Sequence, residues 1–194
     1  NYPKIIAVSK TFKIDKILPL VEHGHIDFGE NKVQEALEKW TEIKKKNLKI
    51  KLHMIGKLQT NKVKFAVKLF DYIHSVDSQK LAKKIAEEQL KLDKRVKIFL
   101  QVNIGDESQK SGIKKNDLDK LVYYCKEIKL DLIGLMCIPP ANIDPEYYFK
   151  EMQQLNKNYG FKELSMGMSS DYIQAAKNLS TYLRIGSSIF GQRF

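Results

Sequence analysis

Cysteine is scarce in this sequence, which has only Cys125 and Cys137 among its 194 residues. Two cysteines without paired histidines provide neither a disulfide framework nor a zinc site, so we expect buried, reduced thiols and no bound metal. Long apolar runs are also absent, and the first residues lack the pattern of a signal peptide. The sequence therefore predicts a soluble, cytoplasmic protein that does not bind membranes.

Arginine is nearly as rare, because only Arg95, Arg184 and Arg193 occur among 34 basic residues. The net charge of +11 would suit an anionic partner such as nucleic acid. The lysines are, however, spread over predicted helix faces, and no nucleic-acid-binding motif or stacking platform is present. We therefore expect a solvated lysine surface without specific nucleic-acid binding, whereas Arg184 offers a planar, permanently charged fork that lysine lacks.

Short apolar segments alternate with longer segments of helical period, which is typical of βα units and a parallel sheet. Eight strands are predicted, at 5–10, 26–30, 52–56, 72–76, 96–103, 132–137, 163–167 and 182–185. Seven helices are predicted between them, at 15–22, 32–46, 60–70, 78–92, 114–126, 145–158 and 169–178. This order predicts an α/β protein with a single closed (β/α)8 TIM-type barrel over residues 1–194, and an open doubly wound sheet is the alternative.

The carboxyl ends of the strands are where such barrels carry their working residues, and a phosphate site often follows strands seven and eight. Lys10 ends the first strand, where partial desolvation would make its amine a nucleophile able to form an imine. A lysine that merely extends to solvent is the alternative. Segment 167–171 leads into a helix with Ser169 at the predicted cap, while Gly186 and Ser187 follow the last strand. Two such turns side by side favour a phosphate cradle.

Eight segments taken together indicate a family. They are AVSKT at 7–11, FGENKVQE at 28–35, HMIGKLQTNK at 53–62, QVNI at 101–104, KSG at 110–112, GLM at 134–136, LSMGMS at 164–169 and RIGSSIFG at 184–191. In this order and at these intervals they resemble the pyridoxal 5'-phosphate (PLP) homeostasis family, whose members are PLP-binding proteins related in fold to the N-terminal domain of alanine racemase. The resemblance spans the chain and implies the same barrel, PLP fold type III, with PLP as cofactor.

The resemblance also implies a set of cofactor-binding residues. These are Lys10 as the Schiff-base lysine, Asn31 near the ring, Arg184 facing the pyridine nitrogen, and Ser169, Gly186 and Ser187 on the phosphate. Two departures from the family pattern are visible. Lys57 occupies a variable position of the segment 55–59, and the helix that generally precedes the first strand has no counterpart, so we expect the barrel bottom to be less covered.

Arg184 bears on whether the protein is an enzyme. Guanidinium has donors only and stays protonated, so a ring nitrogen facing it remains unprotonated and PLP becomes a poorer electron sink. A racemase would also need a second acid/base group opposite Lys10, commonly a tyrosine, and none is marked for that role by its motif. We therefore predict a noncatalytic, monomeric carrier or regulator of PLP in vitamin B6 homeostasis, with PLP-accepting apoenzymes as partners if the cofactor is passed on.

Three other functions stay open at this point. An alanine-racemase-like enzyme acting on amino acids requires an opposing proton donor, and a lysine-dependent aldolase would use Lys10 against a sugar carbonyl. A nucleic-acid-binding module would exploit the positive charge. Lys110 is a second amine expected on the same face, where it adds positive potential or accepts PLP in transfer. The four histidines are spaced wrongly for a local metal motif, and His53 is expected to pack or to form hydrogen bonds.

Overall fold

Eight parallel strands form a closed barrel in the computed structural model, which describes residues 2–192. Each strand pairs with the next along the chain, and the last pairs with the first. The strands are β1 (Lys4–Val8), β2 (Asp27–Glu30), β3 (Lys51–Met54), β4 (Tyr72–Val76), β5 (Lys97–Val102), β6 (Asp131–Cys137), β7 (Glu163–Met168) and β8 (Tyr182–Ile185). The predicted barrel is confirmed, and the open sheet is wrong because β1 and β8 are hydrogen-bonded neighbours. Of the predicted domain, Asn1, Arg193 and Phe194 lie outside the described residues.

A helix follows each strand. The helices are α1 (Ile14–Glu22), α2 (Val33–Lys46), α3 (Val63–Leu69), α4 (Gln79–Leu92), α5 (Leu118–Glu127), α6 (Glu146–Asn158), α7 (Tyr172–Lys177) and α8 (Ser187–Phe190). Short 3-10 turns at Thr60–Lys62 and Lys115–Asp117 precede α3 and α5. None of the helices in residues 2–192 has both the length and the apolar character needed to traverse a lipid bilayer.

Two apolar cores hold the barrel together. The larger lies between the sheet and the surrounding helices, where Trp40, Phe70 and Phe149 are fully buried. The smaller fills the inside of the barrel with Ile6, Tyr72, Phe99, Met136 and Tyr182. Alternate residues of a strand face opposite sides of the sheet, so β1, β4, β5, β6 and β8 contribute to both cores. Each large side chain that is fully buried stabilises the fold by about 1.5–3 kcal/mol.

Several predicted boundaries are wrong at the carboxyl ends of strands. Lys10 was expected inside the first strand, but β1 ends at Val8 and Lys10 lies in the turn that follows. The helix expected from Ser169 begins at Tyr172 because a turn intervenes, closed by the backbone N–H of Asp171 donating to the carbonyl of Met168 at 3.0 Å. The four-residue helix α8 was not predicted. These differences lengthen the loops at the mouth of the barrel.

Candidate functional site

A pocket of about 310 Å³ opens at the carboxyl ends of β1, β2, β7 and β8. Its wall contains all six residues predicted from the sequence: Lys10, Asn31, Ser169, Arg184, Gly186 and Ser187. The rest of the lining consists of Val8, Ile55, Ile138, Met168 and Ser170. Residues that are up to 177 positions apart in the chain therefore meet because parallel strands all end on the same face of the barrel.

The turn that carries Lys10 is held at both ends by the backbone. The N–H of Ser9 donates to the carbonyl of Gly29 at 3.0 Å, and the N–H of Phe12 donates back to the carbonyl of Ser9 at 3.2 Å. Between them, Thr11 adopts a positive φ of 68°, a conformation that residues other than glycine rarely occupy. The partly buried Lys10 thus lies in a tight turn of fixed shape rather than in a mobile loop.

Lys39, on α2, braces this turn from behind. Its ammonium group donates to the carbonyl of Ser9 at 2.8 Å and to that of Phe12 at 3.4 Å. The same group pairs with the carboxylates of Glu30 at 2.7 Å and Glu35 at 2.8 Å. One cation therefore ties the Lys10 turn to both β2 and α2.

Glu30 is the buried anion of this cluster, with a side chain that is 0% exposed. Its Oε1 atom accepts hydrogen bonds from Ser9 Oγ at 2.7 Å and from Trp40 Nε1 at 2.9 Å. Its Oε2 atom is buried without a hydrogen-bond partner among the residues described. Because a buried carboxylate is costly unless it is paired, the ammonium of Lys39 is essential to this arrangement.

The turns after β7 and β8 are joined through the hydroxyl of Ser169. This hydroxyl accepts from the backbone N–H of Gly186 at 3.2 Å and from that of Ser188 at 3.5 Å. Ser169 is therefore not the cap of the helix that follows it, and its predicted capping role is wrong. Asp171 occupies the cap position of α7, and its Oδ1 atom accepts from the N–H of Met168 at 2.6 Å. Both bonds use the Ser169 oxygen as acceptor, so the hydroxyl hydrogen of Ser169, which lines the pocket, is left for donation.

Gly56 lets two of the loops at the mouth approach each other closely. A Cβ atom at this position would lie 2.3 Å from the backbone oxygen of Asn31. No side chain fits at such a distance, so glycine is required for the loop after β3 to pack on the loop after β2. Asn31 is held at the pocket wall by this backbone contact.

Arg184 is buried, with 4% of its surface exposed, at the inner end of the pocket. It donates from Nη1 to Ser165 Oγ at 2.7 Å and from Nη2 to the carbonyl of Cys137 at 2.8 Å. Burial lowers the pKa of the guanidinium, but arginine remains protonated in proteins. The pocket therefore contains a fixed positive charge in a dry environment.

Polar side chains continue from Arg184 through the inside of the barrel. Ser165 Oγ lies 2.9 Å from His74 Nδ1, and His74 Nε2 lies 3.0 Å from His53 Nδ1. His53 Nε2 in turn lies 2.9 Å from Asp27 Oδ1. Burial lowers the pKa of His53, and it lowers the pKa of His74 well below its usual value. Both imidazoles are therefore neutral, and the predicted hydrogen-bonding role of His53 agrees with these contacts.

A second pocket of about 290 Å³ adjoins the first and shares Asn31, Ile55 and Ile138 with it. Lys57 and Lys110 line this second pocket. The ammonium of Lys110 pairs with Glu107 Oε2 at 2.6 Å and donates to the carbonyl of Pro139 at 3.3 Å. Lys110 is thus on the predicted face, but it belongs to the neighbouring pocket and is paired with an acid.

Sequence patterns did not reveal the residues that support the site. Lys39 resembles any lysine on an amphipathic helix, and nothing local links it to a turn 30 residues earlier. The signal that was available is the presence of two polar residues, His74 and Ser165, in the middle of short predicted strands. Polar residues at such positions are costly unless they are hydrogen-bonded, so they mark a network.

Among residues 2–192, neither pocket is lined by a histidine or a cysteine. Within residues 2–192, no tyrosine lines either pocket. Over the same range, no three side chains of histidine, cysteine, aspartate or glutamate are placed to bind a metal ion. Cys125 and Cys137 are buried free thiols, and burial raises the pKa of each to about 12. Thiolate chemistry is therefore suppressed at both.

The sequence is similar to a known family and to curated proteins of that family over nearly its whole length. The family model described as "Alanine racemase, N-terminal domain" matches residues 2–193. The pyridoxal phosphate homeostasis protein of Pasteurella multocida is 35% identical to this chain, covering 98% of it and 86% of the relative. The protein of the same name from Aquifex aeolicus is 36% identical, covering 100% of this chain and 88% of the relative.

Solved structures of similar proteins have the same barrel fold. PipY of Synechococcus elongatus is 34% identical, and its structure with PLP bound has a TM-score of 0.87 over 97% of this chain and 92% of that one. The structure of PipY without PLP has a TM-score of 0.89 over 97% and 93%. Alanine racemase of Clostridium difficile has a TM-score of 0.77 at 15% identity, covering 100% of this chain and 53% of that one, and shows the fold alone.

Proposed function

The chain belongs to the pyridoxal phosphate homeostasis protein family, whose barrel is that of the alanine racemase N-terminal domain, and we propose that it binds PLP through a Schiff base on Lys10 and serves intracellular PLP homeostasis. The observation that carries the proposal is the single pocket that brings the Lys10 amine together with a buried guanidinium and a set of hydroxyl and backbone donors. The related PipY has been solved with PLP bound. The family resemblance inferred from the sequence is confirmed by these relatives.

The donor groups of the pocket match the chemistry of PLP. An aldehyde requires a primary amine, which Lys10 supplies. A phosphate requires N–H and hydroxyl donors, and the backbone of Gly186, the hydroxyl of Ser169 and the residue Ser187 supply them where the β7 and β8 turns meet. Backbone N–H groups already converge on the Ser169 oxygen, so donors there are oriented toward an acceptor.

Arg184 and Asn31 complete the proposed binding set. Bound PLP supplies an electron sink whose strength depends on the group that faces its ring nitrogen. A guanidinium can only donate a hydrogen bond, so Arg184 would keep that nitrogen an unprotonated acceptor and weaken the sink. Asn31, whose backbone packs on Gly56, would contact the ring from the opposite wall.

We propose that the protein has little or no catalytic turnover. The wall of the pocket contains Lys10 as its amine, but no tyrosine among residues 2–192 lies there to act as an opposing acid/base group. PLP that faces Arg184 would also be a weaker electron sink, which disfavours catalysis. The alternative, an alanine-racemase-like enzyme, would need that missing proton donor.

We also propose an oligomeric state, a cellular location and partners for the protein. All six residues proposed to bind PLP lie in one pocket of this barrel, so we propose that it works as a monomer. We propose a cytoplasmic location because its two cysteines are free, buried thiols. Apoenzymes that accept PLP are the proposed partners, with no specific nucleic-acid or membrane ligand.

Spectroscopy and isotope exchange test this function together. Addition of PLP to the apoprotein should produce the visible absorption band of an imine, and borohydride should bleach it and fix one PLP per chain. The loaded protein, incubated with single-enantiomer alanine in deuterated water, should give no more Cα exchange than free PLP, with alanine racemase as the positive control. Rapid exchange with loss of optical activity would establish the racemase alternative, and absence of the band would refute PLP binding through an imine.

A further inference from the structure

The polar line inside the barrel connects two charged groups that do not touch each other. At one end is Arg184, a buried cation that forms no ion pair with a carboxylate among residues 2–192. At the other end is the carboxylate of Asp27, at the first residue of β2. Ser165, His74 and His53 lie between them, each within hydrogen-bond distance of the next. A buried charge without a counter-charge in contact is costly, so the charge of Arg184 must be stabilised by the polar groups that link it to Asp27.

The hydrogen bonds in this line all run in one direction. A carboxylate can only accept, so His53 donates from Nε2 to Asp27, and its neutral ring then accepts at Nδ1. His74 must therefore donate from Nε2 to His53, and its own Nδ1 accepts from the hydroxyl of Ser165. The oxygen of Ser165 has a lone pair left, which accepts from Arg184.

The other end of the line accommodates the same assignment. Arg184 has only donors, so Ser165 accepts its hydrogen bond, and the hydroxyl hydrogen of Ser165 remains for donation to His74. Because each link donates toward Asp27 and accepts from the side of Arg184, the dipoles of all links are aligned with their negative ends toward the guanidinium. Aligned hydrogen bonds polarise one another, so the line stabilises the buried charge of Arg184 in the absence of a direct ion pair.

We propose that Ser165 and His74 are positioning residues for Arg184, and that the directed line from Arg184 to Asp27 fixes the orientation and charge of the guanidinium beneath the ligand pocket. The inference rests on the proposed function in that the ligand facing Arg184 is PLP. It extends that function by assigning a role to groups that do not touch the pocket. The line uses part of the N–H groups of Arg184 and leaves the others for a ligand.

The first test needs no cofactor. In the apoprotein, nitrogen NMR of the histidine side chains should show His74 and His53 as neutral rings with the hydrogen on Nε2 in both. A hydrogen on Nδ1 of His74, or a charged ring at neutral pH, would overturn the proposed direction of the line. This result is independent of whether PLP binds, so it separates failure of this inference from failure of the proposed function.

The second test removes the link that contacts Arg184. Ser165→Ala should weaken PLP binding by about tenfold, because a buried charged donor loses its acceptor. It should also shift the absorption maximum of bound PLP, since the group facing the ring is no longer held. His74→Phe cuts the line one step further along but retains the stacking on Phe99, whose ring centroid lies 4.3 Å away. It should shift the band in the same direction.

Ser75→Ala is the matched control. Ser75 neighbours His74 on β4, is equally buried, and has a hydroxyl without a hydrogen-bond partner among the residues described. Its removal should leave both the PLP affinity and the absorption band unchanged. Wild-type spectra and affinity in Ser165→Ala, or an equal loss in Ser75→Ala, would overturn the positioning role. Absence of the imine band in the wild type would instead count against the proposed function.

Discussion

Lys10→Ala is expected to abolish the imine band that PLP forms with this protein and to reduce the borohydride-stable incorporation of PLP to background. The alanine has no amine to attack the aldehyde. The backbone hydrogen bonds of the turn hold its shape, so no neighbouring side chain moves into the position of Lys10. The groups proposed for the phosphate and the ring remain, so PLP should still bind, reversibly and more weakly. Absorption spectra and the mass of the reduced protein measure both effects.

Lys57→Ala and Lys110→Ala are the matched controls for this experiment. Both lysines line the adjoining pocket, so they are alternative amines at the mouth of the barrel. Each variant should retain the band and the stoichiometry of the wild type. Loss of the band in either control, together with its persistence in Lys10→Ala, would move the Schiff base to the second pocket and would show that the central assignment is wrong.

Lys39→Met is expected to lower the free energy of unfolding by about 3 kcal/mol, because it leaves the carboxylate of Glu30 buried without a counter-charge. For a chain of this size the midpoint of thermal unfolding should fall by about 10 °C. The carbonyls of Ser9 and Phe12 also lose their donor, so formation of the imine at Lys10 should become slower. Denaturant unfolding and the rate of appearance of the imine band measure the two effects.

Two further variants separate charge burial from general damage. Lys45→Met removes a lysine whose ion pair with Glu42 is exposed and screened by water, so the free energy of unfolding should be nearly unchanged. Glu30→Gln added to Lys39→Met removes the unpaired charge and should recover part of the lost stability. If the double variant were no more stable than Lys39→Met alone, burial of the Glu30 charge would not be the cause.

The barrel was predictable because its strands are short, apolar and regularly spaced. Tyr72–Val76 and Tyr182–Ile185 have the same bounds in the structure as in the prediction. The boundaries failed where a turn without glycine or proline follows a strand, as at Lys10, or where a turn delays the start of a helix, as at Asp171. A local sequence pattern indicates whether a segment favours a strand or a helix, but it does not reveal the hydrogen bonds at which that strand or helix ends.

The wall of the pocket was also predictable, since parallel strands place all their carboxyl ends on one face. The support behind it was not, because its contacts join residues that are remote in the sequence. His74 and Ser165 are 91 positions apart, and Lys39 lies 30 positions from Ser9. Only the register of the strands and the packing of α2 bring these groups together. A single sequence carries no pattern that pairs them.

A crystal structure of the PLP complex tests the central claim most directly. We expect continuous electron density between Lys10 Nζ and the aldehyde carbon of PLP, with the phosphate against Ser169, Gly186 and Ser187 and the ring nitrogen facing Arg184. Density joining PLP to Lys57 or Lys110 instead, or a phosphate bound away from the turns that follow β7 and β8, would contradict it.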